Sequence, residues 1–126
     1  MPLHRTKKDT ASGFSSLYEA PTSGYERQIV LSVDRTKQSV IKKEVIGDSE
    51  YLIFRVRTVL DEKGNVVNAK YGKIYGEIGY GEVDNGSGGI VFIYFFNPDG
   101  TRNLEFNPKQ NLFKWKHDAP ENVYEP

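Results

Sequence analysis

A tetrapeptide repeat in the second half of the chain restricts the possible folds more than any other feature. Residues 71–83 read YGKIYGEIGYGEV, in which a Tyr-Gly unit recurs and one extra glycine, Gly79, interrupts the repeat. Because the side chains of a strand alternate between two faces, the repeat predicts a long strand with two different faces. The tyrosine face carries Tyr71, Lys73, Tyr75 and Glu77, and the isoleucine face carries Gly72, Ile74, Gly76 and Ile78.

The extra glycine decides to which face the end of the repeat belongs. One inserted residue exchanges the two faces of a strand. If Gly79 instead occupies a β-bulge, Tyr80 and Glu82 return to the tyrosine face. We adopt the bulge, because the repeat then continues through its own interruption.

Composition limits the chain to one domain and excludes several classes of partner. A chain of 126 residues leaves no room for a second domain. Lys plus Arg and Asp plus Glu both number 17, and a net charge of zero argues against nucleic acid as a partner. The longest apolar run, Ile90–Phe96, is far shorter than the roughly 20 residues of a membrane-spanning helix. The lack of cysteine excludes disulfides and thiolate metal ligands.

The two ends of the chain lack any strand or helix period. Residues 1–26 are rich in Ser, Thr, Gly and Lys and predict an extended N-terminal arm, and residues 117–126 predict a C-terminal tail. A single β domain is expected between them, over residues 27–116. The basic N-terminus has no apolar segment behind it, so it does not read as an intact signal peptide. We slightly favour a secreted or periplasmic location after leader removal over a cytoplasmic one.

Short runs of β-forming residues separated by turn signals predict an all-β fold. An antiparallel β-sandwich or small barrel of about six to seven strands is expected. The predicted strands, besides the one built on the repeat, cover residues 27–33, 39–46, 51–60, 90–96 and 112–116.

The loop before the repeat predicts how its strand pairs. Asp61–Asn65 reads DEKGN, which favours a type I turn with Gly64 in the left-handed conformation and a G1 bulge. This loop pairs Leu52 with Ile74 and Phe54 with Gly72 on the isoleucine face, which then becomes the core. The other face pairs Tyr51 with Tyr75 and Arg55 with Tyr71. A loop longer by one residue would shift the pairing and bury the tyrosines instead, so the shorter loop predicts that they face outward.

The apolar run Ile90–Phe96 predicts a strand in the middle of a sheet, because both of its faces are apolar. The turn that follows, Asn97–Thr101, favours a hairpin with Gly100 in the left-handed conformation. This hairpin would pair Tyr94 with Leu104 and Phe92 with Phe106.

The sequence contains no pattern that predicts catalysis or a cofactor. The two histidines, His4 and His117, lie near opposite ends of the chain, and no HExxH motif is present. The segment Asp84–Ser87 offers oxygen ligands but lacks the spacing of an EF-hand loop. Glu77 and Glu82 share a predicted face, yet two glutamates on a strand surface are ordinary. We therefore predict a protein that is not an enzyme, with no catalytic residue, no cofactor and no metal.

The predicted tyrosine face, with its neighbours on the preceding strand, is the candidate binding surface. It consists of Tyr51, Arg55, Tyr71, Lys73, Tyr75, Glu77 and Tyr80. Flat rings interleaved with charges can stack on sugars or pack against another protein. The same pattern also stabilises a solvent-facing sheet without a ligand, because tyrosine favours strands and Arg–Tyr pairs are attractive across them.

These observations predict a protein interaction or assembly module that binds a protein partner or itself through the arm and the tyrosine face. The alternative is a carbohydrate-binding module that uses the same tyrosines on a glycan. The stretch IVFIYFFNPDGTRNLEF resembles bacterial secreted or surface β-domains in composition and assigns no residue a role.

Overall fold

All of the regular structure in the described part of the chain is β-strand. The computed structural model describes residues 1–8, 16–36, 39–43, 46–47, 49–83 and 87–105. The strands are β1 (Leu3–Lys7), β2 (Ser32–Arg35), β3 (Val40–Lys43), β4 (Glu50–Leu60), β5 (Val66–Val83) and β6 (Ser87–Asn97). The all-β prediction is confirmed. The strand predicted over residues 27–33 begins five residues late, as β2, and the one predicted over 39–46 is present as the shorter β3.

The strands form two antiparallel sheets. The main sheet has the order β1-β4-β5-β6, and β2 pairs with β3 in a separate two-stranded sheet. Over the described residues the main sheet is open, with β1 and β6 at its two edges. The small barrel is therefore excluded, and the antiparallel arrangement is confirmed.

The turn between β4 and β5 has the predicted geometry. Gly64 has a positive φ of 82°, and the Asp61 N–H donates to the Asn65 carbonyl over 2.9 Å. The Asp61 carboxylate closes the loop by accepting hydrogen bonds from the amides of Lys63 (2.9 Å) and Asn65 (2.7 Å). The loop therefore needs only one residue in the left-handed conformation, which glycine adopts without steric cost.

The predicted register of β4 on β5 is confirmed. Tyr51 lies opposite Tyr75, Leu52 opposite Ile74, Phe54 opposite Gly72 and Arg55 opposite Tyr71. The pairing is irregular between Val56 and Leu60, where Arg57 has a positive φ of 51°. The register after this bulge is the same as before it, since Leu60 lies opposite Val66.

A second bulge lies in β5, and it overturns the predicted position of Tyr80. Tyr75 pairs with Ile93 and Gly79 with Val91, so four steps along β5 match two steps along β6. Two extra residues preserve the alternation of faces, whereas the sequence predicted one. Tyr80 pairs with Ile90 and therefore lies on the isoleucine face, not on the tyrosine face.

The N-terminal segment, predicted as an extended arm, lies against its own chain. β1 pairs with β4, with Leu3 opposite Phe54 and Lys7 opposite Glu50. The Leu3 and Glu26 backbones exchange two hydrogen bonds of 2.8 and 2.7 Å, so Leu3 is held from both sides. The carboxylate of Glu50 adds an ion pair with Arg5 at 2.8 Å, which lowers its pKa.

Both faces of the main sheet carry a buried apolar cluster. The cluster on the tyrosine face consists of Ala20, Tyr51, Ile53, Ala69, Tyr71 and Leu104. The cluster on the isoleucine face consists of Ile46, Leu52, Phe54, Ile74 and Ile78, with Leu3, Ile29, Leu31 and Val56 packed against it. The segments next to β2 and β3 thus cover one face, and segments near residues 20 and 104 cover the other.

Residues 90–96 form a strand as predicted, but the predicted covering of both its faces is not seen among the described residues. Among the described strands β6 is at the edge of the sheet, and its side chains are largely exposed. Gly100 has the predicted positive φ of 87°, but the chain then crosses to the tyrosine face, where the Leu104 N–H donates to the Tyr18 carbonyl over 2.7 Å. Leu104 therefore does not face Tyr94, which pairs with Ile74 on the opposite side.

Several sequence predictions lie outside the described residues. They are the connector and calcium candidate at 84–86, the strand partner Phe106, the turn at 107–111, the strand at 112–116 and the tail at 117–126.

Candidate functional site

The tyrosine face is covered, and this corrects the prediction that its residues look outward. Tyr51 is 1% exposed, Tyr71 6% and Lys73 5%. The covering chain is irregular: the Ala20 N–H donates to the Arg102 carbonyl over 2.7 Å, so the two segments bridge each other above the sheet. The sequence prediction missed this layer because neither segment has the alternation of a strand.

Tyr51 acts as a buried anchor for this layer. Its hydroxyl accepts a hydrogen bond from the Leu17 N–H over 2.8 Å. Burial raises the pKa of the Tyr51 hydroxyl above its usual value, and the hydrogen bond from Leu17 opposes that change. A buried tyrosine that satisfies a loop amide is a structural residue rather than a stacking surface.

Lys73 is enclosed beside the same layer. Its Nζ donates to the Ser16 Oγ over 3.0 Å and lies 5.7 Å from the Tyr75 ring centroid and 5.5 Å from that of Phe95. Burial lowers the pKa of the Lys73 ammonium, and the negative charge of Glu105 partly offsets this. Its charge is therefore balanced within the chain by rings, a hydroxyl and a carboxylate.

Arg55 stacks on a tyrosine that was not among the predicted site residues. The guanidinium carbon of Arg55 lies 4.7 Å from the Tyr25 ring centroid. Burial and the nearby Tyr71 raise the pKa of Tyr25 to about 12, while Arg55 and Arg102 act in the opposite direction. Tyr25 Oη and Arg55 Nε are buried and have no hydrogen-bond partner among the described residues.

The remaining predicted site residues do not form one surface. Tyr75 is half-buried, with the Lys8 Nζ 4.2 Å from its ring centroid, and Glu77 is exposed. Tyr80 lies across the sheet, where the Lys42 Nζ is 5.1 Å from its ring centroid. The predicted platform is therefore divided between two faces and mostly covered.

A different surface is open, and it lies on β6. We call it the β6 apolar surface; its members are Ile90, Val91, Phe92, Ile93, Tyr94 and Phe96. Their exposed fractions range from 39% for Phe96 to 74% for Val91. Exposed apolar side chains that are neighbours along one strand are unusual on a protein surface, where such residues are normally scattered singly.

Four members of the β6 apolar surface share the isoleucine face. Phe96 pairs with Gly72, Tyr94 with Ile74 and Ile90 with Tyr80, and Phe92 has the same parity. The Phe96 ring stacks on that of Phe54, with centroids 6.2 Å apart and planes inclined by 6°. The exposed residues are thus the outer margin of a core whose inner part is buried.

The sequence contained a signal for this surface. The eleven residues of β6 read SGGIVFIYFFN and carry no charge. Edge strands usually contain a charged residue, a proline or a bulge that prevents pairing with other chains. The same apolar run was interpreted as a buried central strand because a pattern of residues does not state what covers it.

Among the described residues, no group of three His, Asp or Glu side chains is placed to hold a metal ion. The described part of the chain has no helix long and apolar enough to cross a membrane.

Comparison of the chain with protein-family models, with curated proteins and with solved structures gives no match.

Proposed function

We propose that this protein is a non-catalytic β-domain that serves as a protein interaction or assembly module, with the β6 apolar surface as its contact site. The observation that carries the proposal is the exposure of six apolar side chains on one uncharged strand, five of them consecutive. Burial of such surface against a partner gains roughly 25 cal/mol per Å². The proposal assigns the protein no reaction and no cofactor.

Contacts with other rings hold the aromatic side chains of the β6 apolar surface in place, and this supports a binding role. Phe92 and Tyr94 form a tilted ring pair with centroids 6.2 Å apart, and Phe96 is fixed by its stack on Phe54. Aromatic side chains that are already held in place lose little entropy on binding, and they dominate the energetics of protein interfaces.

The N-terminal segment has a different part in this proposal from the one the sequence suggested. Its first strand, β1, pairs with β4, and this pairing stabilises the domain itself. We assign the contact with partners to β6 at the other edge of the sheet.

We further propose that the two sheets pack as a small sandwich. Ile29 and Leu31, just before β2, pack on the buried cluster of the isoleucine face. The Ile78 N–H of β5 also donates to the Ile46 carbonyl over 3.3 Å, which joins the chain after β3 to the main sheet.

Carbohydrate binding has less support. Stacking on a sugar requires an open ring, but Tyr51 and Tyr71 are buried, and Tyr75 and Tyr80 lie on opposite faces.

A photoreactive amino acid placed on β6 tests the proposed contact site. We expect benzoylphenylalanine at Tyr94 to form a discrete covalent adduct with another protein chain in the cells that make the protein. The control position is Val67, which is 61% exposed and lies on β5 beyond the end of β6. Equal adducts from both positions, or none from Tyr94, would contradict the proposal.

A further inference from the structure

We propose that the partner of the β6 apolar surface is a second copy of this chain, related to the first by a two-fold axis. The inference rests on the proposed function and names its partner. In this dimer, Ile90, Phe92, Tyr94 and Phe96 of one copy pack on the same four residues of the other, so that two isoleucine faces meet at their margins.

The charge pattern favours a second copy over an unrelated partner. A two-fold axis brings the residues nearest to it close to their own counterparts, so a charged residue near the axis meets its like. β6 has no charged residue over its eleven positions, and the whole chain has 17 basic and 17 acidic residues. β6 therefore sets no like charges of its own against each other, and the zero net charge gives no long-range repulsion between two copies; on this face the described residues place the Lys42 cation beside Tyr80.

The position of the surface also fits a second copy. It continues the buried core of the isoleucine face, because Tyr94 pairs with Ile74 and Phe96 stacks on Phe54. Two packed sheets lie about 10 Å apart with interdigitated side chains. Among the described residues no such layer covers this margin. A second copy supplies another margin of the same shape and composition.

The exposed area limits the size of the dimer interface. Phe92, Tyr94 and Phe96 are exposed by 40%, 47% and 39%, and Ile90 by 57%. With about 150–250 Å² for a complete aromatic side chain, the four residues present on the order of 300 Å² per copy. A standard interface uses about 800 Å² per partner, so we expect a weak dimer that forms in the micromolar to millimolar range.

Charge pairing tests whether the partner is a second copy. Sedimentation equilibrium of the wild-type chain from about 1 µM to about 1 mM should show the mass rising from one chain toward two. Tyr94→Lys and Tyr94→Glu should each remain single chains because like charges meet at the axis. An equimolar mixture of the two variants should recover a mixed dimer, at least tenfold tighter than either variant alone.

Matched variants at Val67 provide the control. Val67→Lys and Val67→Glu place the same charges on an exposed apolar residue of β5 and should dimerise like the wild type. Thermal unfolding of each variant establishes that it is folded, and the wild-type dilution series tests the dimer without any substitution.

Three results would overturn the second copy as the partner. One is a wild-type chain that remains a single chain at about 1 mM. Another is a cross-link from position 94 to residues 106–126 of the same chain, which would make that segment the occupant. The third is an adduct between position 94 and a different protein, which would overturn the dimer and leave the proposed interaction module standing.

Discussion

At the scale of single residues, Gly72 and Phe54 fit closely together. The two lie opposite each other on β5 and β4, and a Cβ on Gly72 would overlap the Phe54 ring and the Phe95 carbonyl oxygen. The ring thus fills the space of a missing side chain, an arrangement that compensates for the poor strand preference of glycine.

Gly72→Ala should therefore destabilise the protein by about 1–3 kcal/mol, because the overlap involves backbone as well as the end of a ring. Gly47→Ala is the matched control, since a Cβ at Gly47 meets nothing within 4 Å, and its effect should stay within about 0.5 kcal/mol. Urea unfolding of both variants measures the difference, and equal effects would show that Phe54 moves aside.

Tyr25 makes the stability sensitive to alkaline pH. Folding raises the pKa of this hydroxyl from 10.0 to about 12, chiefly by burial, so the folded chain holds the proton more tightly than the unfolded chain. Its contribution to stability is therefore complete below pH 10.0 and is lost as the pH rises toward 12.

Tyr25→Phe removes this titration together with a hydroxyl that has no hydrogen-bond partner among the described residues. We expect near-wild-type stability at neutral pH and a smaller loss of unfolding free energy between pH 10.0 and 12. Urea unfolding over that pH range gives the comparison. The same alkaline loss in the wild type and in Tyr25→Phe would show that Tyr25 ionises equally in both states.

At the scale of elements, one short loop sets the register between β4 and β5. Gly64 occupies the left-handed position, and the loop it closes aligns β4 and β5 as far as Tyr51 and Tyr75. The bulge at Arg57 interrupts the pairing without altering this alignment.

Gly64→Ala should destabilise the protein by about 1–2 kcal/mol, because alanine is strained at a φ of 82° even though a Cβ there meets nothing within 4 Å. Lys63→Ala in the same loop should have an effect within about 0.5 kcal/mol. Thermal unfolding of the two variants, read beside each other, separates backbone strain from loss of a side chain. An unchanged Gly64→Ala variant would mean that the loop adopts another turn at no cost.

The sequence predicted the structural features that depend on residues close together along the chain. The Asp61–Asn65 loop and the residues it pairs lie close together in sequence, so turn chemistry was enough to align them. It also predicted the meeting of Phe54 with Gly72. The covering of Tyr71 and Lys73 could not be predicted in the same way, because the covering residues Ala20 and Leu104 are single apolar positions in irregular segments.

The position of β6 could not be predicted for a related reason. An apolar run indicates that both faces of a strand favour burial, but whether other segments cover those faces depends on the whole chain. Here the segments around β2 and β3 pack over β4 and β5, and Ile90 and Phe92 stay exposed. The mismatch between that preference and the exposure of β6 is the reason for assigning a partner to it.

At the scale of the whole molecule, one sheet is stabilised by distant parts of the chain on both sides. Leu104, which is 4% exposed, and Ala20 pack on Tyr51 and Ile53 of the tyrosine face. The opposite face is covered by Ile46 and its neighbours. In the part of the chain that the structure describes, neither layer contains a long strand, and each packs on the sheet through a few buried side chains.

Leu104→Ala should therefore cost about 2–5 kcal/mol and loosen the layer over the tyrosine face. Guanidine unfolding measures the cost, and solvent perturbation of tyrosine absorbance reports the exposure of Tyr51 and Tyr71. Val67→Ala, at an exposed site, should change neither. A stable Leu104→Ala variant with unchanged absorbance would show that the layer is held by its backbone hydrogen bonds.

The pairing of β1 with β4 has a consequence for the time course of folding. Leu3 pairs with Phe54, and Ala20 with Arg102, so these contacts join residues that are far apart in sequence. In contrast, β4, β5 and β6 are consecutive in the chain and can pair as soon as each is synthesised. Because closing long loops is entropically costly, we expect the hairpins to form first and β1 to add last. β1 is the first of these strands to be synthesised and would then be the last to pair. Until it pairs, β4 has an open edge, and β6 is already exposed.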